Sequence, residues 1–72
     1  MTKLDIIKEI GLDNYYGEKQ AEATKRMLAH SKRTLEIALA NWRKTPNART
    51  REFIGRVLTG IFKNSLPINK IK

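Results

Sequence analysis

Residues 38–55 read ALANWRKTPNARTREFIG and contain the strongest helix-breaking signal in the chain. One run with helical periodicity stops at Thr45-Pro46-Asn47, and a second begins directly afterwards. The residue before a proline avoids helical backbone angles, whereas proline itself suits the first turn of a helix. We therefore predict that one helix ends near Lys44 and that Thr45 caps the next. A connection this short favours an antiparallel helical hairpin.

Before this break, small and apolar residues recur at three- and four-residue steps, which predicts one long helix over residues 18–44. Projection at about 100° per residue puts the recurring positions within one arc. These positions are Ala21, Thr24, Leu28, Ser31, Leu35, Ala38, Leu39 and Trp42. We expect this arc to face the core, with Trp42 closing one end of it, and we expect Ile37 to project away from it.

After the break, the pattern predicts a helix that runs from Pro46 to about Asn64. Its apolar stripe consists of Phe53, Ile54, Val57, Leu58, Ile61 and Phe62. Gly55 and Thr59 are predicted to lie away from the centre of this stripe. Glycine within a helix costs about 1 kcal/mol relative to alanine. Gly55 therefore indicates either the close approach of another backbone or a protein that simply tolerates this loss of stability.

A short helix is predicted at the start of the chain. Thr2 and Asp5 have the spacing of a capping box, and Gly11 can end the helix in the left-handed conformation. The predicted buried residues are Leu4, Ile7 and Ile10, with Ile6 at the margin. Residues 13–17 read as a turn.

Together these patterns predict an all-α fold, a small helical domain with a short N-terminal helix and a long antiparallel helical hairpin. Residues 1–64 are predicted to form a single domain. Residues 65–72 are predicted to be a basic and flexible C-terminal tail, because Pro67 cannot continue the helix. Tyr15 and Tyr16 have no assigned place in this core, which leaves a homo-oligomer or a partner surface open.

Composition argues against an enzyme. The chain has 72 residues and no cysteine, so one thin core must be held by packing alone. His30 is the only histidine, and the spacings of metal sites and of glycine-rich phosphate loops are missing. We therefore predict no catalysis, no metal and no cofactor, with His30 as a solvated side chain. With no signal-peptide pattern after Met1 and no apolar run near a membrane span, we expect a cytoplasmic protein.

The distribution of charge is the strongest indication of function. Fifteen Lys and Arg residues against seven Asp and Glu residues give a formal net charge of +8. Residues 1–22 carry three basic and five acidic side chains, whereas residues 23–72 carry twelve basic and two acidic ones. Such asymmetry within one small domain favours polyanionic partners. The alternative is that the charge serves solubility alone.

Basic residues form rows along the predicted helices, and such rows suit a track of phosphates. One row of the last helix consists of Arg49, Arg56 and Lys63. The two rows of the long helix are Arg26, Arg33 and Lys44, and Lys25, Lys32 and Arg43. Seven-residue spacing also arises on any solvated helix face. At the junction of the two helices, the amides of the helix start favour an anion, and we predict a phosphate site formed by Thr45, Asn47, Arg49 and Arg51.

The first functional hypothesis is therefore a small basic protein that contacts nucleic-acid phosphates without strong sequence preference. The alternative is an inhibitor or adaptor, of the phage or mobile-element type, that binds an acidic surface of a larger protein through the same residues. Ile37 or the two tyrosines would then be apolar anchors. A homo-oligomer is a third hypothesis. A helix-turn-helix motif is disfavoured, because the predicted second helix is too long and its connection lacks glycine.

Overall fold

A computed structural model of the chain describes residues 1–61, and all of the regular structure in this part is helical. The all-α prediction is confirmed. The elements are α1 (Lys3–Ile10), a 3₁₀ turn (Gly17–Lys19), α2 (Gln20–Leu28), α3 (Lys32–Lys44) and α4 (Ala48–Thr59). None of these helices is long and apolar enough to cross a membrane. The predicted tail over residues 65–72 lies outside the described residues.

Helix α1 begins and ends where the sequence predicts. Thr2 Oγ1 accepts a hydrogen bond from the Asp5 amide at 3.1 Å, and the Asp5 carboxylate accepts one from the Thr2 amide at 2.9 Å. Gly11 ends the helix with φ 86°. The predicted buried face was partly wrong, because Leu4 is 42 % exposed. Since α1 packs against both α2 and α3, its buried residues are Ile6, Ile7 and Ile10.

The single long helix predicted over residues 18–44 is wrong, because the chain breaks into α2 and α3 at residues 29–31. Ser31 has extended backbone angles, φ −71° and ψ 158°, and its hydroxyl accepts a hydrogen bond from the Thr34 amide at 3.2 Å. Ser31 is therefore the N-cap of α3, a position that serine favours because its oxygen satisfies an unpaired amide.

The break also changes which face of α2 is buried. The predicted arc assumed one continuous helix, so its angular phase does not carry from α3 into α2. Ala21 and Leu28 are exposed, whereas Ala23 and Met27 are completely buried. In α3 the prediction that the apolar arc faces the core is confirmed, and Trp42 is half-buried against the core as expected. The core residues of α3 are Leu35, Ala38 and Leu39.

Helix α4 starts later and ends earlier than predicted. Its N-cap is Asn47 rather than Thr45, and its C-cap is Gly60, which adopts φ 72°. A left-handed residue of this kind ends a helix, and glycine adopts it without steric cost. The apolar stripe divides in two: Ile54 and Leu58 are buried, whereas the exposed residues are Phe53 (56 %) and Val57 (59 %).

Gly55 and Thr59 are buried, contrary to the prediction that they lie away from the apolar centre of α4. A Cβ atom added at Gly55 would overlap the hydroxyl of Tyr16, and this hydroxyl lies 3.4 Å from Thr59 Oγ1. The close approach at Gly55 is therefore made by a tyrosine side chain. Tyr16 is 6 % exposed, its burial raises the pKa of the phenol, and Tyr15 packs edge-on against it. The tyrosines thus complete the core.

His30 connects the break to α4, so the prediction of a solvated histidine was wrong. Its Nε2 lies 2.6 Å from the carbonyl oxygen of Leu58. The start of α3 therefore lies beside the end of α4, while residues 45–47 join the other ends of the two helices.

The break also bears on the helix-turn-helix motif, which was disfavoured because the predicted second helix was too long. That argument no longer holds, because α2 has only 9 residues and the connection to α3 covers residues 29–31.

Candidate functional site

An open cleft of about 600 Å³ lies where α3 ends and α4 begins. We call it the basic cleft. Its α3 side and the connection contribute Asn41, Lys44 and Thr45, and its α4 side contributes Arg49, Thr50, Glu52, Phe53 and Arg56. The lining thus contains three cations, Lys44, Arg49 and Arg56, and one carboxylate, Glu52, so its net charge is positive.

Helical spacing explains why the α4 residues converge. Arg49, Phe53 and Arg56 are separated by four and three positions, which places them on one stripe of the helix. A rise of 1.5 Å per residue separates Arg49 from Arg56 by about 10 Å along the axis. Asn41 and Lys44 are three positions apart on α3 and share a stripe for the same reason. The cleft therefore lies between one face of α3 and one face of α4.

Lys44 and Arg49 carry the least compensated charge of the cleft. Both side chains are exposed, and within residues 1–61 neither is paired with a carboxylate. Arg56 is also exposed and lines the same cleft. The two uncompensated cations, Lys44 and Arg49, lie on one concave surface and attract anions, and the attraction is greatest for a polyanion that neutralises both at once.

The junction residues predicted to hold a phosphate do not all face this cleft. Thr45 and Arg49 line it. Asn47 instead uses its side-chain oxygen to accept a hydrogen bond from the Thr50 amide at 2.9 Å, as the N-cap of α4. The Arg51 side chain makes internal contacts on the other side of α4. Two members of the predicted quartet are therefore committed to the fold.

Arg43 and Arg26 are likewise engaged within the protein. Arg43 donates two hydrogen bonds to the Glu9 carboxylate, Nε to Oε2 at 2.7 Å and Nη2 to Oε1 at 3.0 Å, which joins α3 to α1. This pairing lowers the pKa of Glu9 and raises that of Arg43. Arg26 donates to the Thr59 carbonyl at 2.9 Å and to Glu22 at 2.8 Å. Any phosphate would have to compete with these partners.

The two basic rows predicted for the long helix are interrupted by the break. Lys25 and Arg26 lie on α2, whereas Lys32 and Arg33 lie on α3. Lys25, Lys32 and Arg33 are exposed. Lys63 lies outside the described residues, so the line of Arg49, Arg56 and Lys63 is described for its first two members only.

An apolar groove of about 130 Å³ adjoins the basic cleft, and sequence reasoning missed it. It is lined by Thr34, Ile37, Ala38, Asn41, Phe53, Ile54, Val57 and Leu58. Asn41 and Phe53 border both the groove and the cleft. The available signals were the projection of Ile37 away from the predicted arc and the excessive width of the α4 stripe. Such a wide stripe leaves apolar side chains exposed even though α2 and α3 both pack against α4.

Within residues 1–61, no group of three or more His, Asp or Glu side chains is placed to hold a metal ion. Comparisons with protein-family models, with curated proteins and with solved structures found no match for this chain. The basic cleft and the apolar groove are therefore the features from which a function can be inferred.

Proposed function

We propose that this protein is a non-catalytic binding protein that contacts nucleic-acid phosphates through the basic cleft, without strong sequence preference. The main support is that Lys44 and Arg49 line one open cleft with Arg56 and have no carboxylate partner within residues 1–61. Arginine can hold two phosphate oxygens at once through its planar fork. Phosphate contacts carry no sequence information, so weak sequence preference follows.

The overall charge supports the same proposal. The formal net charge of +8 on a 72-residue chain gives a strong positive field. Neutralising phosphates releases their counterions, so each ionic contact steepens the fall in affinity with salt. Duplex and single strands both present such phosphates, and the cleft is open to solvent.

Fluorescence anisotropy with labelled oligonucleotides over a salt series tests this proposal. We expect Lys44→Gln/Arg49→Gln to weaken binding by roughly tenfold or more and to reduce the salt slope by about two units. The matched control is Lys8→Gln/Lys19→Gln, which removes the same charge from exposed positions outside the cleft. Equal losses in the two double variants, or no binding at physiological salt by the wild-type protein, would contradict the proposal.

The second candidate function is binding to an acidic surface of another protein. It is favoured by the exposure of Ile37, Phe53 and Val57 beside the basic cleft. Protein interfaces commonly combine an apolar centre with a charged rim. Ile37→Ala, which adds no charge, is expected to weaken capture of such a partner strongly, whereas binding of a DNA hairpin through phosphate contacts alone would tolerate it. Pull-down of the partner and anisotropy with the hairpin, each with the wild-type and Ile37→Ala proteins, separate the two functions.

A further inference from the structure

We infer that the basic cleft prefers single-stranded to double-stranded nucleic acid, with Phe53 as the platform on which one base stacks. This inference rests on the proposed function and names the form of nucleic acid that the same site would take. It depends on the position of one exposed aromatic ring between two arginines.

Phe53 is exposed although the sequence pattern places it in the core. Phe53 is 56 % exposed, whereas its neighbour Ile54 is only 3 % exposed. A large aromatic side chain that packs little within its own protein gains most by covering an apolar surface on a ligand. The ring borders both the basic cleft and the apolar groove, so such a ligand must carry charge and flat apolar surface close together.

Single-stranded nucleic acid has this combination. Its phosphates are continuous and the faces of its bases are open, whereas a duplex stacks those faces internally and presents only base edges in its grooves. Stacking between an aromatic side chain and a base contributes about 1–3 kcal/mol and tolerates any base. It therefore agrees with weak sequence preference.

The order of side chains along α4 fits a strand laid across the cleft. Phe53 lies four residues after Arg49 and three before Arg56, on the same stripe. The two arginines are about 10 Å apart along the helix axis, so they suit separate phosphates of one strand. A base between those phosphates then meets the Phe53 ring.

Both helices supply the rest of a base pocket. Beyond Phe53, the groove is lined by Ile37 of α3 and Val57 of α4, which offer apolar cover. Asn41 borders both the groove and the cleft, and its amide can donate to or accept from a base edge. Because one amide can match more than one base edge, the contact with Asn41 does not select a single base and agrees with weak sequence preference.

The competing occupant of the groove is an acidic peptide with apolar side chains. Such a peptide needs apolar area at position 53 but no aromatic ring, whereas a base needs the flat ring. Phe53→Leu separates the two, because it keeps most of the apolar area and removes the ring. The substitution is at an exposed position, and circular dichroism confirms that the helices are retained.

The experiment measures anisotropy with three probes: a single strand of roughly 12 nucleotides, a DNA hairpin with the same number of phosphates, and a peptide of alternating Glu and Leu. We expect the wild-type protein to bind the strand roughly tenfold more tightly than the hairpin. Phe53→Leu is expected to weaken strand binding by roughly tenfold without changing the salt slope or the hairpin affinity. Phe53→Trp retains strand binding, and the control Val57→Ala weakens it less than Phe53→Leu does.

The outcomes distinguish this inference from the proposed function. Equal affinity for strand and hairpin, or strand binding that Phe53→Leu leaves intact, overturns the stacking inference and leaves the phosphate contacts standing. Failure to bind either nucleic acid overturns both, and so does binding of the peptide alone. Tighter binding of the hairpin that is lost in Lys32→Gln/Arg33→Gln overturns the inference and assigns recognition to the start of α3.

Discussion

Arg51 donates a hydrogen bond of 2.7 Å from its Nε to the carbonyl oxygen of Ile10 and so joins α4 to the end of α1. Carbonyls in the last turn of a helix lack donors within that helix, and this guanidinium supplies one. The same group lies over the Trp42 ring of α3, 4.8 Å from its centroid. One side chain from α4 therefore holds both α1 and α3.

We predict that Arg51→Lys destabilises the protein by roughly 2 kcal/mol, the sum expected for a charged hydrogen bond and a cation–π contact. Lysine keeps the charge but has neither the planar fork nor its stacking surface. Urea denaturation followed by circular dichroism measures the change. Arg49→Lys is the control, because this exposed side chain makes no hydrogen bond or ion pair within residues 1–61, and its substitution should change stability by less than about 0.5 kcal/mol. Equal stability of the two variants would show that Arg51 contributes nothing to the fold.

Gly55→Ala should destabilise α4 although alanine is the better helix former. At an open helical position this change adds about 1 kcal/mol of stability. Here the new methyl group would overlap the Tyr16 hydroxyl and press on Leu12 at 3.2 Å, and overpacking of this kind costs about 1–3 kcal/mol. Thermal unfolding measures the sign directly. A stabilised Gly55→Ala variant would mean that the tyrosine moves aside at no cost.

Tyr16→Phe provides the matched test of that overlap. On its own it loses the contact with Thr59 Oγ1, which costs about 1 kcal/mol. Combined with Gly55→Ala it removes the colliding oxygen, so the double variant should be more stable than the sum of the two single changes predicts. If the two changes in unfolding free energy are additive, the Tyr16 hydroxyl is not the cause of the strain in Gly55→Ala, and Leu12 is the remaining close contact.

Acid should remove the stability that the Glu9–Arg43 pair contributes. The hydrogen bonds from Arg43 lower the pKa of Glu9 below its usual 4.5. A carboxyl whose pKa is depressed in the folded state stabilises that state above its unfolded pKa, and the contribution disappears as the pH falls through the folded value. We predict that Glu9→Gln flattens the acid decline of the urea midpoint below about pH 4.5. Glu36→Gln, on the exposed face of α3, should leave the decline unchanged.

The parts of the fold that follow from short-range signals could be predicted from the sequence. Thr2, Asp5 and Gly11 define α1 within one stretch of ten residues, and Pro46 separates α3 from α4. The break at residues 29–31 was missed because the apolar spacing happens to continue across it. Ser31 is a favourable N-cap, but no Glu or Gln follows three residues later to complete a capping box.

The candidate site was predicted in outline and wrong in detail for a geometric reason. The convergence of Lys44, Arg49 and Arg56 follows from charge and helical spacing. Arg51 was grouped with Arg49 because the two are close in sequence. Residues two positions apart on a helix point about 200° apart, so the two arginines cannot line the same cleft. The exposure of Phe53 depends on how α3 covers α4, which no local pattern reveals.

The pairing of Glu9 with Arg43 also affects how the molecule meets a distant ligand. Helix α1 carries two lysines and two carboxylates, and Glu9 neutralises the arginine nearest to it. Where α3 meets α4, the cations within residues 1–61 that keep their charge uncompensated are therefore Lys44 and Arg49, on the side of the basic cleft. A polyanion that approaches this end of the molecule is drawn toward the cleft rather than toward α1, so a larger share of collisions is correctly oriented. This gain in association rate fades as added salt shortens the Debye length.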